Sequence, residues 1–357
     1  MATHAFAPVC PDGLTFQLVD PLDDADWNAK LTAGPSASFF HTAAWAQVLR
    51  DTYGFKPLYF TLRDRRQVHA LLPMMEVDSW LTGRRGISLP FTDECAPLCP
   101  DDASFQSLFL EVQACAKRRG WKYVECRGGR PLFGESLASS SYFGHRLDLH
   151  REESALWAQF DDSTRRAVRK AEQSNLTVEF SQDLDALRIF YRLLGQTRRR
   201  HGMPPQPFRF FKYIHQHVLA QNQGQVVLVR SGRRPVAGAV FFHFGRTALF
   251  KFGASDAAFH RLRVNNLVMW QAIKWHARHD FSALDFGRTS FENEGLRKFK
   301  LGWGPEEHRI DYVRYDCRSG GFVQAPDRSS GWHNHIFRRL PGGLARLIGT
   351  ALYKHIA

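Results

Sequence analysis

The sequence has few cysteines and no long apolar run. Its six cysteines are scattered and form no Cys-x-x-Cys pair that would begin a metal site. No segment approaches the ~20 consecutive apolar residues of a membrane-spanning helix, and the N-terminus lacks the charged and apolar regions of a signal peptide. We therefore predict a cytoplasmic protein with reduced thiols.

Several well-known catalytic motifs are also absent. The chain has no Walker loop, no Gly-x-Gly-x-x-Gly, no His-Glu-x-x-His and no Gly-x-Ser-x-Gly. His276 and His279 have no further metal ligands near them in sequence, so we expect no metal site. These absences argue against nucleotide hydrolysis by a P-loop, zinc proteolysis and serine hydrolysis on an α/β-hydrolase fold.

The composition that is present indicates a large folded protein with a positive surface. The 357 residues are 44% hydrophobic and 13% aromatic, enough for packed cores in about two domains. The net charge of +13 would attract nucleic acid, phosphorylated precursors or an anionic membrane face. A general preference for arginine would give the same balance, and the charge alone does not decide between them.

Both halves of the chain repeat one order of predicted elements. Antiparallel strands precede a helix and then a strand that ends near an acidic residue, over 121–126 in the first half and 283–286 in the second. Parallel pairing across each helix predicts an α/β (α+β) fold with mixed, mostly antiparallel sheets. We predict domains over 1–150 and 151–318, with a basic amphipathic tail over 319–357.

The segment from Leu284 to Gly304 is the most informative one. It begins as an apolar strand ending in Asp285, continues through a loop with Arg288, and ends in an apolar stretch that contains Lys300. A loop that holds a carboxylate and cations between rigid elements is a usual place for a catalytic or substrate-holding site. We predict that Lys300 lies on a strand, facing away from its apolar neighbours and into a groove.

These residues and three other segments resemble the FemAB-like aminoacyltransferases of the N-acetyltransferase-like (GNAT) superfamily. The segments are His41–Trp45 with Tyr53-Gly-Phe, Leu89–Asp93 with Ala96-Pro-Leu, Arg165–Ala171, and Asp285-Phe-Gly-Arg with Leu296–Gly304. The sequence is most similar to the FemAB-related group found beside exosortase and exopolysaccharide genes. The resemblance implies two tandem GNAT-like domains that join an activated acyl group to an amine, often from aminoacyl-tRNA onto a cell-wall (peptidoglycan) precursor.

One segment departs from the acetyltransferase pattern. Acetyltransferases hold the pyrophosphate of coenzyme A on a glycine-rich turn at a helix N-terminus. The equivalent segment here, Arg261–Asn266, contains no glycine, and Val264 is branched where the backbone would approach the phosphates. We expect Asn265 or Asn266 to cap this helix and a donor other than coenzyme A to be favoured.

The basic segment before the second half is a candidate phosphate site. Arg165, Arg169 and Lys170 lie on one helix at a spacing that brings their charges together. An anion between them would relieve their repulsion. A solvated helix face with counterions is the alternative.

The remaining candidates are assigned with the help of the resemblance. Lys300 is expected to hold the donor phosphate or stabilise the oxyanion, and Asp285 and Asp93 to accept the proton of the acceptor ammonium or hold it. Arg288 is expected to bind an acceptor carboxylate, and Trp45 is a substrate-binding candidate. Structural roles as turn, cap or strand residues are the alternatives.

The C-terminal tail mixes apolar and basic residues. Leu344, Ile348 and Leu352 alternate with Arg346 and Lys354. Such a helix can lie on the anionic inner face of a membrane or pack back on the protein, and both alternatives stay open.

The sequence therefore predicts a cytoplasmic N-acyltransferase. It would transfer an acyl or aminoacyl group to an amine on a phosphorylated or lipid-linked envelope or exopolysaccharide precursor. We expect no tightly bound cofactor, with either aminoacyl-tRNA or acyl-CoA as donor. The alternatives are a non-catalytic module that binds RNA or another polyanion, and an acyl-CoA-dependent N-acetyltransferase.

Overall fold

A computed structural model of the protein describes residues 14–32, 37–64, 67–324 and 348–355. The described chain forms two compact units, the first from residues 14–140 and 311–324 and the second from residues 141–310 and 348–355. The boundary at Ser140 lies within a strand and before the predicted limit at residue 150. The predicted domain limits themselves stay a prediction.

The strands of the described residues are, in chain order, β1 Thr15–Val19, β2 Lys56–Arg63, β3 Val68–Val77, β4 Arg85–Ile87, β5 Tyr123–Arg127, β6 Ser140–Asp148, β7 Leu176–Ser181, β8 Gly224–Ser231, β9 Arg234–Phe244, β10 Thr247–Ser255, β11 Ala283–Asp285, β12 Thr289–Ser290, β13 Glu306–Asp316 and β14 Gly321–Phe322. The α-helices with assigned bounds are α1 Trp27–Thr32, α2 Ala43–Tyr53, α3 Asp102–Arg119, α4 Glu153–Gln159, α5 Asp162–Glu172, α6 Leu184–Arg200, α7 Phe208–His217, α8 Val264–Arg278 and α9 Glu294–Leu301.

In the first unit, the sheet runs in the order β1-β2-β3-β4-β5, and the residues of β13 that belong to this unit add a further strand beside β5. Only β4 and β5 are parallel in this order, and α3 is the helix that connects them. This helix begins where the Asp101 side chain accepts a hydrogen bond from Ser104 N, and it ends at Gly120 in the left-handed region. Aspartate at the start and glycine at the end are typical of helix termini.

The second unit repeats this order of elements. Its sheet runs β7-β8-β9-β10-β11 and continues into β6, with β10 and β11 parallel and α8 connecting them. Each unit therefore has a strand, two helices, three antiparallel strands, a helix and a parallel strand in sequence. The predicted fold of two tandem domains with mixed sheets is confirmed.

The parallel pairing between β10 and β11 is short. It covers only Thr247–Leu249 of β10 against Ala283–Asp285 of β11. β10 continues to Ser255 beside β9, with a register shift between Phe250 and Phe252. Beyond Leu249, the edge of β10 that faces β11 is therefore not paired with that strand, and its backbone groups can bind a ligand.

The described end of the tail packs on the second unit. Tyr353 is buried and its hydroxyl donates to Pro204 O at 3.0 Å, while a Cβ added at Gly349 would lie 2.2 Å from Pro205 O. The preceding tail residues, 325–347, lie outside the described residues. No helix in the described ranges is both long enough and apolar enough to span a bilayer.

Candidate functional site

Lys300 lies on a helix, so its predicted placement on a strand was wrong. The helix is α9, which begins where the Asn293 side chain accepts a hydrogen bond from Leu296 N at 3.1 Å. The residue is 2% exposed, and its ammonium donates to Gly287 O at 2.8 Å and to Arg288 O at 3.1 Å. It is therefore buried against the loop after β11 instead of lining an open groove.

The loop that Lys300 holds contains two other predicted site residues. Asp285 ends β11, and its Oδ1 accepts a hydrogen bond from Gly287 N at 2.6 Å. Gly287 has a φ of +67°, which a glycine adopts without the strain of a side chain. The guanidinium of the next residue, Arg288, lies 4.4 Å from the centre of the Tyr142 ring. The second unit thus brings Asp285 and Arg288 together in one loop, which Lys300 contacts from α9.

A buried imidazole beside this loop was missed in the sequence. His145 is fully buried, and its Nε2 lies 2.9 Å from Glu307 Oε2. Its carbonyl oxygen accepts a hydrogen bond from Phe286 N at 2.9 Å, which connects β6 to the residue before Gly287. Because His145 and Glu307 are far apart in sequence and sit on different strands, no local motif indicated them.

The charges around His145 and Glu307 indicate how this pair is protonated. Arg297 donates two hydrogen bonds to Glu307, at 2.6 and 2.8 Å, and lowers the pKa of that carboxyl group. Burial, and then the nearby charge of Lys300, lower the pKa of His145. A neutral imidazole that donates Nε2–H to the Glu307 carboxylate is consistent with these directions. Its Nδ1 has no hydrogen-bond partner among the described residues.

Aromatic rings and guanidinium groups form the surface around this loop. Phe291 is 44% exposed and its ring lies 4.3 Å from that of Phe143. Arg297 Cζ lies 3.9 Å from the centre of the Phe143 ring. This surface, with Arg288 over Tyr142, suits a ligand that combines negative charge with apolar groups.

The three basic candidates lie on α5 as predicted, but their surroundings differ. Arg165 donates to Ala158 O at 2.9 Å and pairs with Asp162. Arg169 lies over the Trp157 ring at 5.5 Å, and Lys170 is exposed. The phosphate-binding role of this helix stays a prediction.

Two candidates lie in the first unit and are described there alone. The backbone oxygen of Asp93 accepts a hydrogen bond from the Tyr312 hydroxyl at 2.8 Å. The segment before it is unusual, because Leu89 and Phe91 both have positive φ values, +50° and +60°. Such backbone conformations are rare for these residue types and cluster at functional sites. Trp45 is fully buried, with its ring centre 5.5 Å from that of Phe40.

The start of α8 differs from the expectation. The helix begins at Val264, and the residue before it, Arg263, has the left-handed φ of +58°, so neither Asn265 nor Asn266 caps it. No side chain caps this end. The side chain of Val264 is buried in the core of the second unit. The expectation that a donor other than coenzyme A is favoured stays a prediction, and Arg261 and Arg263 are both exposed beside the helix end.

No group of three or more His, Cys, Asp or Glu side chains in the described part of the chain could hold a metal ion. Its thiols at Cys95, Cys99, Cys115, Cys126 and Cys317 are free.

Comparisons with known proteins match the second unit to a known domain family. The family model of the acetyltransferase (GNAT) domain matches residues 158–309, which cover the loop with Asp285 and Arg288, helix α9 with Lys300, and Glu307. The second unit is therefore a GNAT-type acyltransferase domain. No curated protein matches it in sequence.

Solved structures extend the GNAT fold over most of the chain. A crystal structure of FemX is 14% identical, with a TM-score of 0.66 over 83% of this chain and 96% of that one. A tandem GNAT protein from the clavulanic acid biosynthesis pathway is 11% identical, with a TM-score of 0.56 over 85% and 98%. The L-PGS of Bacillus licheniformis is 12% identical, with a TM-score of 0.54 over 93% and 98%. At these identities the likeness shows the fold, and the resemblance to FemAB-like GNAT proteins is confirmed.

Proposed function

We propose that this GNAT protein transfers an acyl or aminoacyl group to an amine on a phosphorylated cell-envelope or exopolysaccharide precursor. The observation that carries the proposal is the loop from Asp285 to Arg288. It lies within the matched GNAT domain, is fixed by Lys300, and is bordered by His145 and its partner Glu307. The loop carries the Asp285 carboxylate and the Arg288 guanidinium at the end of β11, and the buried imidazole of His145 lies beside it on β6.

The donor side of the proposal rests on β10 and α8. The edge of β10 beyond Leu249 leaves backbone groups that can bind an extended donor. The uncapped start of α8, with Arg261 and Arg263 exposed beside it, suits a donor phosphate. Acyl-CoA and aminoacyl-tRNA both carry phosphate, and both stay candidates for the donor.

The chemistry is the attack of an amine on an ester or thioester carbonyl. The amine nitrogen forms a bond to the carbonyl carbon, the bond to the ester oxygen or thioester sulfur breaks, and the amine proton passes to a base. The Asp285 carboxylate is our candidate to hold the acceptor ammonium or take this proton, and Arg288 to bind an acceptor carboxylate or phosphate. Because Lys300 is buried on two carbonyl groups, we assign it a positioning role.

The candidate partners of the acceptor phosphate lie on α5 in the second unit. They are Arg169 and Lys170, with Arg165 beside them. In the first unit Asp93 follows the segment with two positive φ values and is our candidate to bind an acceptor amine. The C-terminal domain of a putative lysylphosphatidylglycerol synthetase from Agrobacterium fabrum is similar in fold, with 13% identity and a TM-score of 0.55 over 82% of this chain and 91% of that one, and its name favours an aminoacyl group and a phospholipid acceptor.

Titration calorimetry with acetyl-CoA and with aminoacyl-tRNA tests the donor. We expect the double variant Arg261→Ala/Arg263→Ala to weaken binding of the true donor about tenfold or more, since it removes two charge-assisted contacts. Arg233→Ala, which removes an exposed arginine from the β8–β9 turn, is the matched control and should bind as wild type. Equal donor binding by all three proteins would contradict this placement. Salt-steep RNA binding without transfer from any donor would favour a polyanion-binding module.

A further inference from the structure

The turn between β3 and β4 presents two apolar side chains to solvent. Trp80 is 87% exposed and Leu81 is 53% exposed, and Trp80 is the most exposed large hydrophobic residue of the described chain. An indole gains much free energy from leaving water, so a turn seldom holds one almost fully exposed.

Hydrogen bonds hold this turn in shape. Gly83 N donates to Ser79 O at 2.7 Å, and Thr82 N donates to the buried Ser79 Oγ at 2.9 Å. The Arg85 guanidinium, itself buried, donates to Thr82 Oγ1 at 2.6 Å and to Gly83 O at 3.2 Å. Lys122 Nζ donates to Thr82 O at 3.0 Å. The turn that exposes the two apolar side chains is therefore held in one conformation by these hydrogen bonds.

Basic residues lie at the end of α3, which contacts the base of the turn. Arg84 donates to Arg119 O at 3.0 Å, which ties the turn to the C-terminal end of α3. The exposed Lys117 and Arg118 lie in that last helical turn, and Lys122 follows it. These three cations have no carboxylate partner among the described residues. By contrast, the guanidinium of Arg84 has its own partner, Asp78, at 2.9 Å.

We propose that this turn docks the protein on the surface of a membrane that carries anionic lipids. Trp80 and Leu81 would enter the boundary between headgroups and acyl chains, where indole rings are favoured. Lys117, Arg118 and Lys122 would then face lipid phosphates. Two exposed apolar side chains on one turn, with basic residues nearby, fit a lipid surface better than a protein partner, because stable protein interfaces need about 800 Å² on each side.

This inference does not depend on the proposed acyl transfer, since vesicle binding needs no substrate. The experiment is sedimentation of the full-length protein with vesicles of phosphatidylcholine alone or mixed with phosphatidylglycerol. The test variant is Trp80→Ser/Leu81→Ser. The matched control is Leu110→Ser/Leu137→Ser, which removes two leucines of the first unit that are 60% and 62% exposed.

We expect wild type and control to bind the mixed vesicles equally, and Trp80→Ser/Leu81→Ser to bind about tenfold more weakly or worse. Lys117→Ala/Arg118→Ala should weaken binding to mixed vesicles by about fivefold for each charge and make it less sensitive to salt. Failure of the wild type to bind mixed vesicles would overturn the proposal. Unchanged binding by Trp80→Ser/Leu81→Ser would also overturn it and would locate any attachment elsewhere, the C-terminal tail included.

A second measurement covers the case in which the serine variant does not fold. Trp80→Phe keeps an aromatic side chain at the tip and should bind mixed vesicles within about twofold of wild type. Wild type should show a blue shift of tryptophan emission on binding, and Trp80→Phe should lose most of it. The same blue shift in both proteins would mean that Trp80 does not enter the lipid, and the proposal would fail.

Discussion

Lys300 Nζ lies 2.8 Å from the carbonyl oxygen of Gly287, and this contact joins α9 to the end of β11. A buried ammonium is costly unless its donors are satisfied, and here backbone oxygens of Gly287 and Arg288 satisfy them. The same loop carries the Asp285 carboxylate and the Arg288 guanidinium. The position of both predicted site residues therefore depends on a lysine that is itself 2% exposed.

Lys300→Met should lower both stability and acyl transfer. Methionine keeps the apolar stem but leaves two carbonyl groups near the loop without their donor, which costs about 1–3 kcal/mol of unfolding free energy for a buried group. The measurement is urea unfolding combined with transfer assays under conditions where the variant is folded.

Lys298→Met is the matched control, because Lys298 is exposed on the same helix. It should change the unfolding free energy by no more than about 0.5 kcal/mol. If Lys300→Met kept wild-type stability and lost only turnover, Lys300 would have a direct catalytic role and the positioning role would be wrong.

Glu307→Gln should reduce the rate of acyl transfer while leaving the protein folded. The substitution removes the charge that pairs with Arg297 and receives a hydrogen bond from His145. We expect the loop around Arg288 to loosen and turnover to fall about tenfold or more, the scale of misplacing a positioned group. Glu306→Gln, at the neighbouring exposed residue of β13, should keep wild-type turnover and pH profile. Equal rates for the two variants would exclude Glu307 from the site.

The sequence was sufficient for the tandem plan because the signals there are local. Asp101 and Gly120 mark both ends of α3, and Asp161 caps α5. The prediction that Lys300 lies on a strand was wrong because the alternation of apolar and charged residues over Phe299–Leu301 is compatible with a strand and with a helix. The deciding signal was the cap, Asn293 followed by Glu294, several residues earlier.

The other differences between prediction and structure come from contacts between residues that are far apart in the sequence. The hydrogen bond between His145 and Glu307 joins residues 162 positions apart. The start of α8 depends on Arg263, a residue type without a preference for the left-handed region, so asparagine caps were the better expectation. The exposure of Trp80 depends on how the turn is held by Lys122, across a helix and a strand.

Gly302→Ala should destabilise the second unit where α9 meets α5. A Cβ at this position would lie 2.3 Å from Thr164 Oγ1 and 3.1 Å from Asp161 Oδ2, and Thr164 is itself buried. Overpacking of this kind typically costs about 1–3 kcal/mol. Gly295→Ala is the control on the same helix, since nothing lies within 4 Å of its added Cβ. It should be neutral or stabilise by up to about 1 kcal/mol. Thermal unfolding separates the two, and equal midpoints would contradict the packing.

The second unit also contains a buried histidine in contact with a half-buried one. His243 Nε2 and His276 Nε2 lie 2.9 Å apart, and His276 Nδ1 lies 2.7 Å from Ala272 O. A carbonyl oxygen only accepts, so His276 carries its proton on Nδ1 and His243 donates to the free Nε2. Burial lowers the pKa of His243 to about 4, and burial with the neighbouring His243 lowers the pKa of His276 to about 3.

This pair makes the protein sensitive to acid. In the unfolded chain both imidazoles titrate near 6.5, so below that pH the unfolded chain binds protons that the folded chain does not. Their contribution to stability is therefore complete above pH ~6.5 and is lost as the pH falls toward the folded pKa values. We expect a loss of roughly 2 kcal/mol for each histidine between pH 7.5 and 5, measured by urea unfolding. His243→Gln keeps an amide donor toward His276 and does not titrate, so the loss over the same range should shrink by about half. An unchanged slope in His243→Gln would show that other groups cause the acid sensitivity.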